Sequence, residues 1–223
     1  MYSELVPAKN IVKEYHENSY YHLYNRGVAK QNIFLDEQDY KTFLFYLKLY
    51  LSAPDLQGET LKVAPSRQPK NFYEQLKLLA YCLMGNHFHL LVFQKDPDRI
   101  NFFMRSLATK YSMYFNRKYR RVGTIFQGAY KAVLVESEEQ LLYLSKYIHR
   151  NPIEILPTGF HLEGYKYSSY GNYLGLFNQV WIYKDDILGL FSETDQSNSY
   201  QNFVEELDER DLPIIKNLLI EEI

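Results

Sequence analysis

The chain has 223 residues, a net charge of −2 and a single cysteine, Cys82, which excludes an intrachain disulfide. No run approaches the roughly 18 apolar residues of a membrane span, and the first 15 residues carry charges where a signal peptide needs an apolar segment. We therefore expect a soluble cytoplasmic protein that makes no use of a membrane and has Cys82 in its core.

The charge is unevenly distributed along the chain. Residues 185–223 carry eleven acidic and two basic residues, a net charge of −9, which leaves +7 on the preceding 184 residues. Between residues 99 and 135 there are eight basic residues and no acidic one, with tyrosines among them. Such a segment predicts phosphate contact and base stacking, although most single tyrosines are ordinary core or surface residues. The basic residues are Arg99, Arg105, Lys110, Arg117, Lys118, Arg120, Arg121 and Lys131.

The first half of the chain predicts a strand, a helix and a strand pair. The strand covers residues 19–26 and ends at Gly27, and the helix begins at Asp36 as N-cap with Asp39 in its first turn. Residues 54–70, rich in polar and turn-forming types, predict a mobile loop. Two strands then meet in a tight turn at Gly85-Asn86, both residue types that tolerate a positive φ. The apolar face of the helix would be Tyr40, Phe43, Leu44, Leu47, Tyr50 and Leu51.

The second half predicts further helices around one more strand. A helix from about residue 100 to 119 is followed by a strand-like segment at 123–135, then by a helix that begins at Ser137 with Gln140 as its capping partner. We expect Pro152 to move Asn151 out of the α region and end that helix. The buried stripe of the first helix would be Ile100, Phe103, Met104, Leu107, Tyr111 and Phe115, and that of the second Leu141, Leu144 and Ile148.

The residues after 176 predict an acidic, mostly helical extension. A short helix starts at Asp185-Asp186, a polar link covers 192–202, and one or two amphipathic helices follow. The last apolar stripe would be Leu212, Ile215, Leu218, Leu219 and Ile223. The extension could dock on the core, mask the basic face or bind a partner, and the sequence leaves these open. The whole pattern predicts an α+β protein, an antiparallel sheet flanked by helices, with a main domain at 1–176 and an extension at 177–223.

Two stretches carry candidate chemistry. His87 and His89 alternate with Phe88 at the start of a strand, so both imidazoles point to one face, roughly 7 Å apart, and can share a metal ion. Tyr147 and Asn151 are spaced by four at the end of a helix and share another face. Asn151 could equally be a helix cap, and His22, His16 and His161 are expected to be structural.

These stretches resemble the HUH-type single-tyrosine transposases, in particular the REP-associated tyrosine transposases. The similar segments are YHLYNRG at 21–27, MGNHFHLLV at 84–92, FNRKYRRVGTIFQGAYKAVLVE at 115–136, LSKYIHRNPIE at 144–154 and SSYGNYLG at 168–175. The resemblance implies a ferredoxin-like sheet, Tyr147 as the nucleophile, and His87, His89 and Asn151 as ligands of Mg²⁺ or Mn²⁺. Imidazole preference by itself would favour a transition metal.

The implied reaction is metal-dependent cleavage and strand transfer of single-stranded or hairpin DNA through a 5′-phosphotyrosine. Arg26 and the basic segment, from Arg105 to Lys131, are candidate DNA contacts. Tyr143 is an alternative nucleophile and His149 an alternative site residue, although His149 faces another side of the helix. A domesticated DNA hairpin-binding protein without strand transfer and an unrelated metal-dependent hydrolase are the competing functions. The sequence leaves open whether the protein acts as a monomer or a homodimer.

Overall fold

The computed structural model describes residues 13–54, 70–191, 194, 196–206 and 211–219. The loop predicted at 54–70 lies almost entirely outside these residues. Among the described residues, no helix is both long and apolar enough to cross a bilayer.

Four strands form one antiparallel sheet. They are β1 (Ser19–Arg26), β2 (Leu76–Met84), β3 (His87–Gln94) and β4 (Lys131–Val135), in the order β2-β3-β1-β4. The predicted α+β, ferredoxin-like class is confirmed. The strand expected over 123–135 is wrong in its first half, because Gly123 and Gly128 take φ angles of 99° and 75°, which interrupt an extended chain.

Three long helices pack on this sheet: α1 (Glu37–Leu51), α2 (Arg99–Tyr119) and α3 (Glu138–Arg150). In α1, Asp36 caps the helix and exchanges bonds with Asp39 in a capping box. The six residues predicted for the α2 stripe are all buried, as are the three predicted for α3. In α1, Phe43, Leu47, Tyr50 and Leu51 are buried, whereas Tyr40 and Leu44 are half-buried. Hydrophobic spacing therefore located all three helices.

The helices occupy opposite faces of the sheet. Phe88 points from β3 towards α1 and α2, where its ring lies 5.2 Å from that of Phe43, which in turn lies 5.0 Å from Tyr111. His87 and His89 alternate with Phe88 and therefore point to the other face, which α3 covers. Cys82 is fully buried in β2, as expected.

The turn predicted at Gly85-Asn86 joins β2 to β3, and neither residue uses the positive φ that both types tolerate. Helix α3 ends before Pro152 as predicted, but the prediction that Pro152 moves Asn151 out of the α region is wrong. Asn151 stays in the α region, with φ −49° and ψ −36°, and the chain continues as a 3₁₀ turn over Asn151–Glu154. The tighter turn keeps Asn151 in line with the preceding helix in spite of Pro152.

The extension docks on the core. After α4 (Tyr170–Tyr173), which lies before the extension, the extension contains α5 (Asp185–Leu188), α6 (Gln196–Glu205) and α7 (Asp211–Ile215), of which α6 and α7 both contact α3. The polar link expected over 192–202 is wrong in its second half, because α6 covers it and Tyr200 is fully buried. Ile215 and Leu218 are buried and Leu219 is half-buried, while the side chain of Leu212 and residue Ile223 lie outside the description. The division at residue 176 stays a prediction.

Candidate active site

The site is built on β3 by the register of the sheet. His87 lies opposite Arg26 and His89 opposite Tyr24, so the two strands present these four side chains on the face that α3 covers. The imidazole rings of His87 and His89 lie 5.0 Å apart, edge to face. His89 is fully buried and His87 is half-buried. The predicted convergence of the two histidines is therefore observed.

Asn86 orients the His87 ring. Its Nδ2 donates to the Lys30 carbonyl at 3.3 Å, which turns Oδ1 towards His87 Nδ1 at 2.6 Å. An amide oxygen only accepts, so Nδ1 carries the proton and the lone pair is on Nε2. That Nε2 lies 3.2 Å from Asn151 Oδ1. Two acceptors thus face each other, which is the arrangement of two ligands around a cation.

His22 is a site residue that the sequence reasoning missed. Its ring is fully buried and stacks on His89 at 5.1 Å, with Nε2 2.9 Å from His89 Nδ1 and Nδ1 2.6 Å from the Leu218 carbonyl oxygen. The only signal in the sequence is its period-two alternation with Tyr24, which places both on one face of β1. Recognising its role required the neighbouring strand and the extension.

Burial keeps all three imidazoles neutral. It lowers the pKa of His22 to about 4, against a smaller opposite effect of the Leu218 carbonyl. Burial also lowers the pKa of His87 to about 4, with Asn151 opposing and Arg26 reinforcing the shift. The pKa of His89 is lowered well below its usual value by burial and then by the neighbouring imidazoles and Arg26. Neutral imidazole is the form that binds a metal ion.

Helix α3 brings Tyr147 to the histidines. The Tyr147 ring lies 5.4 Å from His89 and 6.4 Å from His22, edge-on to both. Asn151, one turn later, reaches His87. The spacing of four that the sequence shows thus places a phenol and a carboxamide beside the two histidines of the same chain.

The competing residues of α3 lie elsewhere. His149 is fully buried and contacts Tyr200 and Ser169, each at 2.7 Å, so it faces away from Tyr147, as expected. Tyr143 packs against Phe203 of α6 with ring centroids 5.3 Å apart.

The basic residues divide between the two faces. Arg26 and Lys131 belong to strands and point to the same face as His87 and His89. The buried stripe of α2 packs on the opposite face, so its exposed cations Arg105, Lys110 and Arg117 lie across the sheet from Tyr147. Arg120 at the end of α2 is exposed, and Arg121 donates to Gln31 at 3.3 Å.

The charge of Lys118 is compensated within the fold. Its ammonium contacts Asp36 at 2.6 Å and the fully buried Asp39 at 2.8 Å. DNA contact by any of these residues stays a prediction.

The residues present fit a divalent cation. His89 Nε2 is buried and has no hydrogen-bond partner in the described part of the chain, and the facing acceptors of His87 and Asn151 lie on the same face. Within residues that the structure describes, no three His, Cys, Asp or Glu side chains are grouped as for a metal ion. His22 contacts His89 through a hydrogen bond, so the ligand set would be the imidazoles of His87 and His89 and the carboxamide of Asn151.

Known proteins share both the sequence segment and the fold. Residues 69–151, which contain His87, His89, Tyr147 and Asn151, match the model of the IS200-like transposases. No curated protein matches the chain. A REP-associated tyrosine transposase bound to a REP hairpin is similar with a TM-score of 0.51 and 13% identity, over 76% of this chain and 88% of that one. A candidate transposase from Deinococcus radiodurans R1 gives a TM-score of 0.36 and 15% identity, over 65% of this chain and 97% of that one.

The two kinds of likeness cover different parts of the chain. The family match covers the strand pair, α2, β4 and α3, whereas the structural likeness also takes in elements outside that segment. The resemblance drawn from the sequence motifs is thereby confirmed, to the IS200-like transposase family over residues 69–151 and to the fold of a REP-associated tyrosine transposase.

Proposed function

We propose that this chain cleaves single-stranded DNA and transfers the cut strand through a 5′-phosphotyrosine at Tyr147. The observation that carries the proposal is the convergence of Tyr147, His87, His89 and Asn151 on one face of the sheet. The match of this segment to IS200-like transposases supports the same class of reaction. Because one chain supplies all four residues, a single protomer would hold a complete site.

His87, His89 and Asn151 would hold a divalent cation, for which we propose Mg²⁺ or Mn²⁺. Their three donor groups are neutral, which leaves the charge of the cation available to the substrate. When bound, the cation would offset the negative charge that develops on a phosphodiester under attack. Arg26, on the same face and opposite His87, would add a second positive charge next to the phosphate.

Tyr147 would act as the nucleophile. Its phenolic oxygen loses a proton and bonds to phosphorus, the bond from phosphorus to the 3′ oxygen breaks, and that oxygen takes up a proton. No water is consumed, so the phosphotyrosine keeps the energy of the phosphodiester. Attack by another 3′-hydroxyl then releases Tyr147 and rejoins DNA without ATP.

Hairpin DNA is the substrate we propose. The structurally similar REP-associated transposase is described with a REP hairpin bound, and this chain carries basic residues on both faces of its sheet. Arg26 and Lys131 would contact the strand near the site, and the α2 cations would contact a part of the hairpin that wraps to the other side.

The test is formation of a covalent adduct. A panel of single-stranded hairpins, each labelled at the 5′ or at the 3′ end, is incubated with the protein and Mn²⁺ or Mg²⁺ and resolved on a denaturing gel. We expect only the label 3′ of the cut to remain on the protein, and we expect no adduct without metal or with Tyr147→Phe or His87→Ala.

Tyr143→Phe is the matched control, because Tyr143 lies one turn earlier and packs against Phe203. Its adduct should equal that of the wild type. An adduct that survives Tyr147→Phe but not Tyr143→Phe would contradict the assignment of the nucleophile. Tight hairpin binding without any adduct would favour a DNA-binding protein without strand transfer.

A further inference from the structure

His22 and the backbone of residue 218 connect the C-terminal extension to the candidate metal ligand His89. Leu218 follows α7, and its carbonyl oxygen lies 2.6 Å from His22 Nδ1, 196 residues away in sequence. His22 Nε2 lies 2.9 Å from His89 Nδ1. All three groups are buried, since His22 and His89 are fully shielded from solvent and Leu218 is 1% exposed.

The direction of these bonds follows from their chemistry. A carbonyl oxygen can only accept, so His22 Nδ1 must carry the ring proton of that neutral imidazole. The remaining nitrogen, Nε2, then has a lone pair and accepts from His89 Nδ1–H. His89, with its own proton on Nδ1, has its lone pair on Nε2. One backbone carbonyl thus determines where the protons lie on two imidazoles.

The last atom in this series of hydrogen bonds, His89 Nε2, is the one that would bind a metal ion. His89 Nε2 is buried and without a hydrogen-bond partner among the described residues, and the His87 and Tyr147 rings lie next to the His89 ring at 5.0 and 5.4 Å. The stacking of His22 on His89, with ring planes 18° apart, also fixes the orientation of the ring. A ligand imidazole commonly has its other nitrogen held in this way.

We propose that His22 is a positioning residue for the metal site and that the Leu218 carbonyl, supplied by the C-terminal extension, sets the tautomer of His89 through it. The extension is then a structural part of the site rather than a separate appendage. This inference rests on the proposed function for the role of the metal, whereas the tautomer of His89 is a property of the metal-free protein.

The first experiment reads that tautomer without metal or DNA. Two-bond ¹H–¹⁵N correlation spectra of the ¹⁵N-labelled, metal-free chain distinguish imidazoles protonated at Nδ1 from those protonated at Nε2. We expect His89 to be protonated at Nδ1 in the wild type and to become a mixture of both tautomers in His22→Phe. His22→Gln should restore the Nδ1 form, because an amide can donate to Leu218 and accept from His89.

The second readout is the affinity for Mn²⁺ alone, measured by electron paramagnetic resonance of the free ion. We expect His22→Phe to bind about 10- to 100-fold more weakly, the usual effect of losing such a partner, and His22→Gln to recover most of that loss. Tyr24→Phe is the matched control, since Tyr24 lies two residues along β1 and bonds to the next carbonyl, Leu219, at 3.3 Å. Its Mn²⁺ affinity should stay within about twofold of the wild type.

A third variant tests the carbonyl itself and covers the case in which His22→Phe does not fold. Replacing residue 219 by its α-hydroxy acid makes the bond after Leu218 an ester, whose carbonyl accepts more weakly while every side chain stays in place. The His89 tautomer should shift in the same direction as in His22→Phe.

An unchanged tautomer in both His22→Phe and the ester variant would overturn the proposal, as would weakened Mn²⁺ binding that His22→Gln does not restore. Failure of the wild type to bind Mn²⁺ or form an adduct would count against the proposed function only, because the tautomer is measured independently.

Discussion

Among substitutions that remove one tyrosine hydroxyl at the interface between α6 and α3, Tyr200→Phe should destabilise the protein most. The Tyr200 hydroxyl donates to Ser145 at 3.0 Å and contacts His149 Nδ1 at 2.7 Å, and all three residues are fully buried. Since the hydroxyl proton goes to Ser145, the oxygen accepts from His149. Removing it leaves the His149 N–H buried and unpaired.

The magnitude follows from which groups lose a partner. Ser145 keeps its own bond to the Leu142 carbonyl at 2.7 Å, so it is not orphaned. The unpaired N–H of His149 costs about 1–3 kcal/mol. For a chain of 223 residues, a loss of about 2 kcal/mol lowers the Tm by about 4–8 °C. Differential scanning calorimetry of the metal-free protein measures this directly.

Tyr170→Phe is the control for this prediction. The Tyr170 ring is fully buried in the same cluster, 6.4 Å from Tyr200, but its hydroxyl donates to the exposed carboxylate of Glu205. Water can replace that partner, so the Tm should fall by less than half as much. Equal shifts in Tyr170→Phe and Tyr200→Phe would refute the reasoning from the orphaned His149 N–H.

Three further predictions follow from buried and charged groups. Burial lowers the pKa of His149 to about 3. As the pH falls below about 6.5, the unfolded chain therefore protonates this histidine while the folded protein does not. Relative to His149→Gln, the wild type should lose about 1.4 kcal/mol of stability per pH unit between about pH 6.5 and 4, measured by urea unfolding. Asp39→Asn should cost roughly 3 kcal/mol, because it leaves Lys118 without the buried half of its ion pair, and the midpoint of urea unfolding should fall while hairpin affinity changes little. Arg26→Ala should lower hairpin affinity and reduce the slope of log K against log salt concentration by about 0.7–0.9. Arg105→Ala, measured in the same way, tests whether the opposite face of the sheet binds phosphate. An unchanged slope in either variant would mean that the residue does not contact DNA.

Local patterns in the sequence were sufficient for most of the fold. The α2 stripe could be predicted residue by residue, because helical periodicity is carried by side chains within one segment. The pair His87 and His89 could likewise be assigned to one face, since alternation in a strand is local. The strand predicted over 123–135 was wrong in its first half because Gly123 and Gly128 have positive φ angles, which the alternation of apolar residues does not reveal.

The parts of the site that the sequence did not predict depend on neighbours distant in the chain. His22 reaches the site only because β1 pairs with β3. In that pairing Leu91 lies opposite His22 and Tyr24 lies opposite His89, so His22 and His89 are diagonal neighbours. The contribution of Leu218 is a backbone carbonyl, and every residue has one, so no residue type could mark it. Only its position after α7 makes it the partner of His22.

The extension contacts both the helix that carries Tyr147 and the histidines of the proposed metal site, through separate hydrogen bonds. From α6, Tyr200 contacts His149, and the Val204 carbonyl accepts from Arg150 at 2.6 Å, so two residues on the α3 turn that follows Tyr147 are held. From the segment after α7, Leu218 reaches His89 through His22. Because these bonds share no group, Tyr200→Phe and His22→Phe should act differently. The first should lower stability with little effect on Mn²⁺ affinity, and the second should lower Mn²⁺ affinity out of proportion to stability. Equal effects of both variants on both quantities would mean that the extension acts on the site only by holding the fold together.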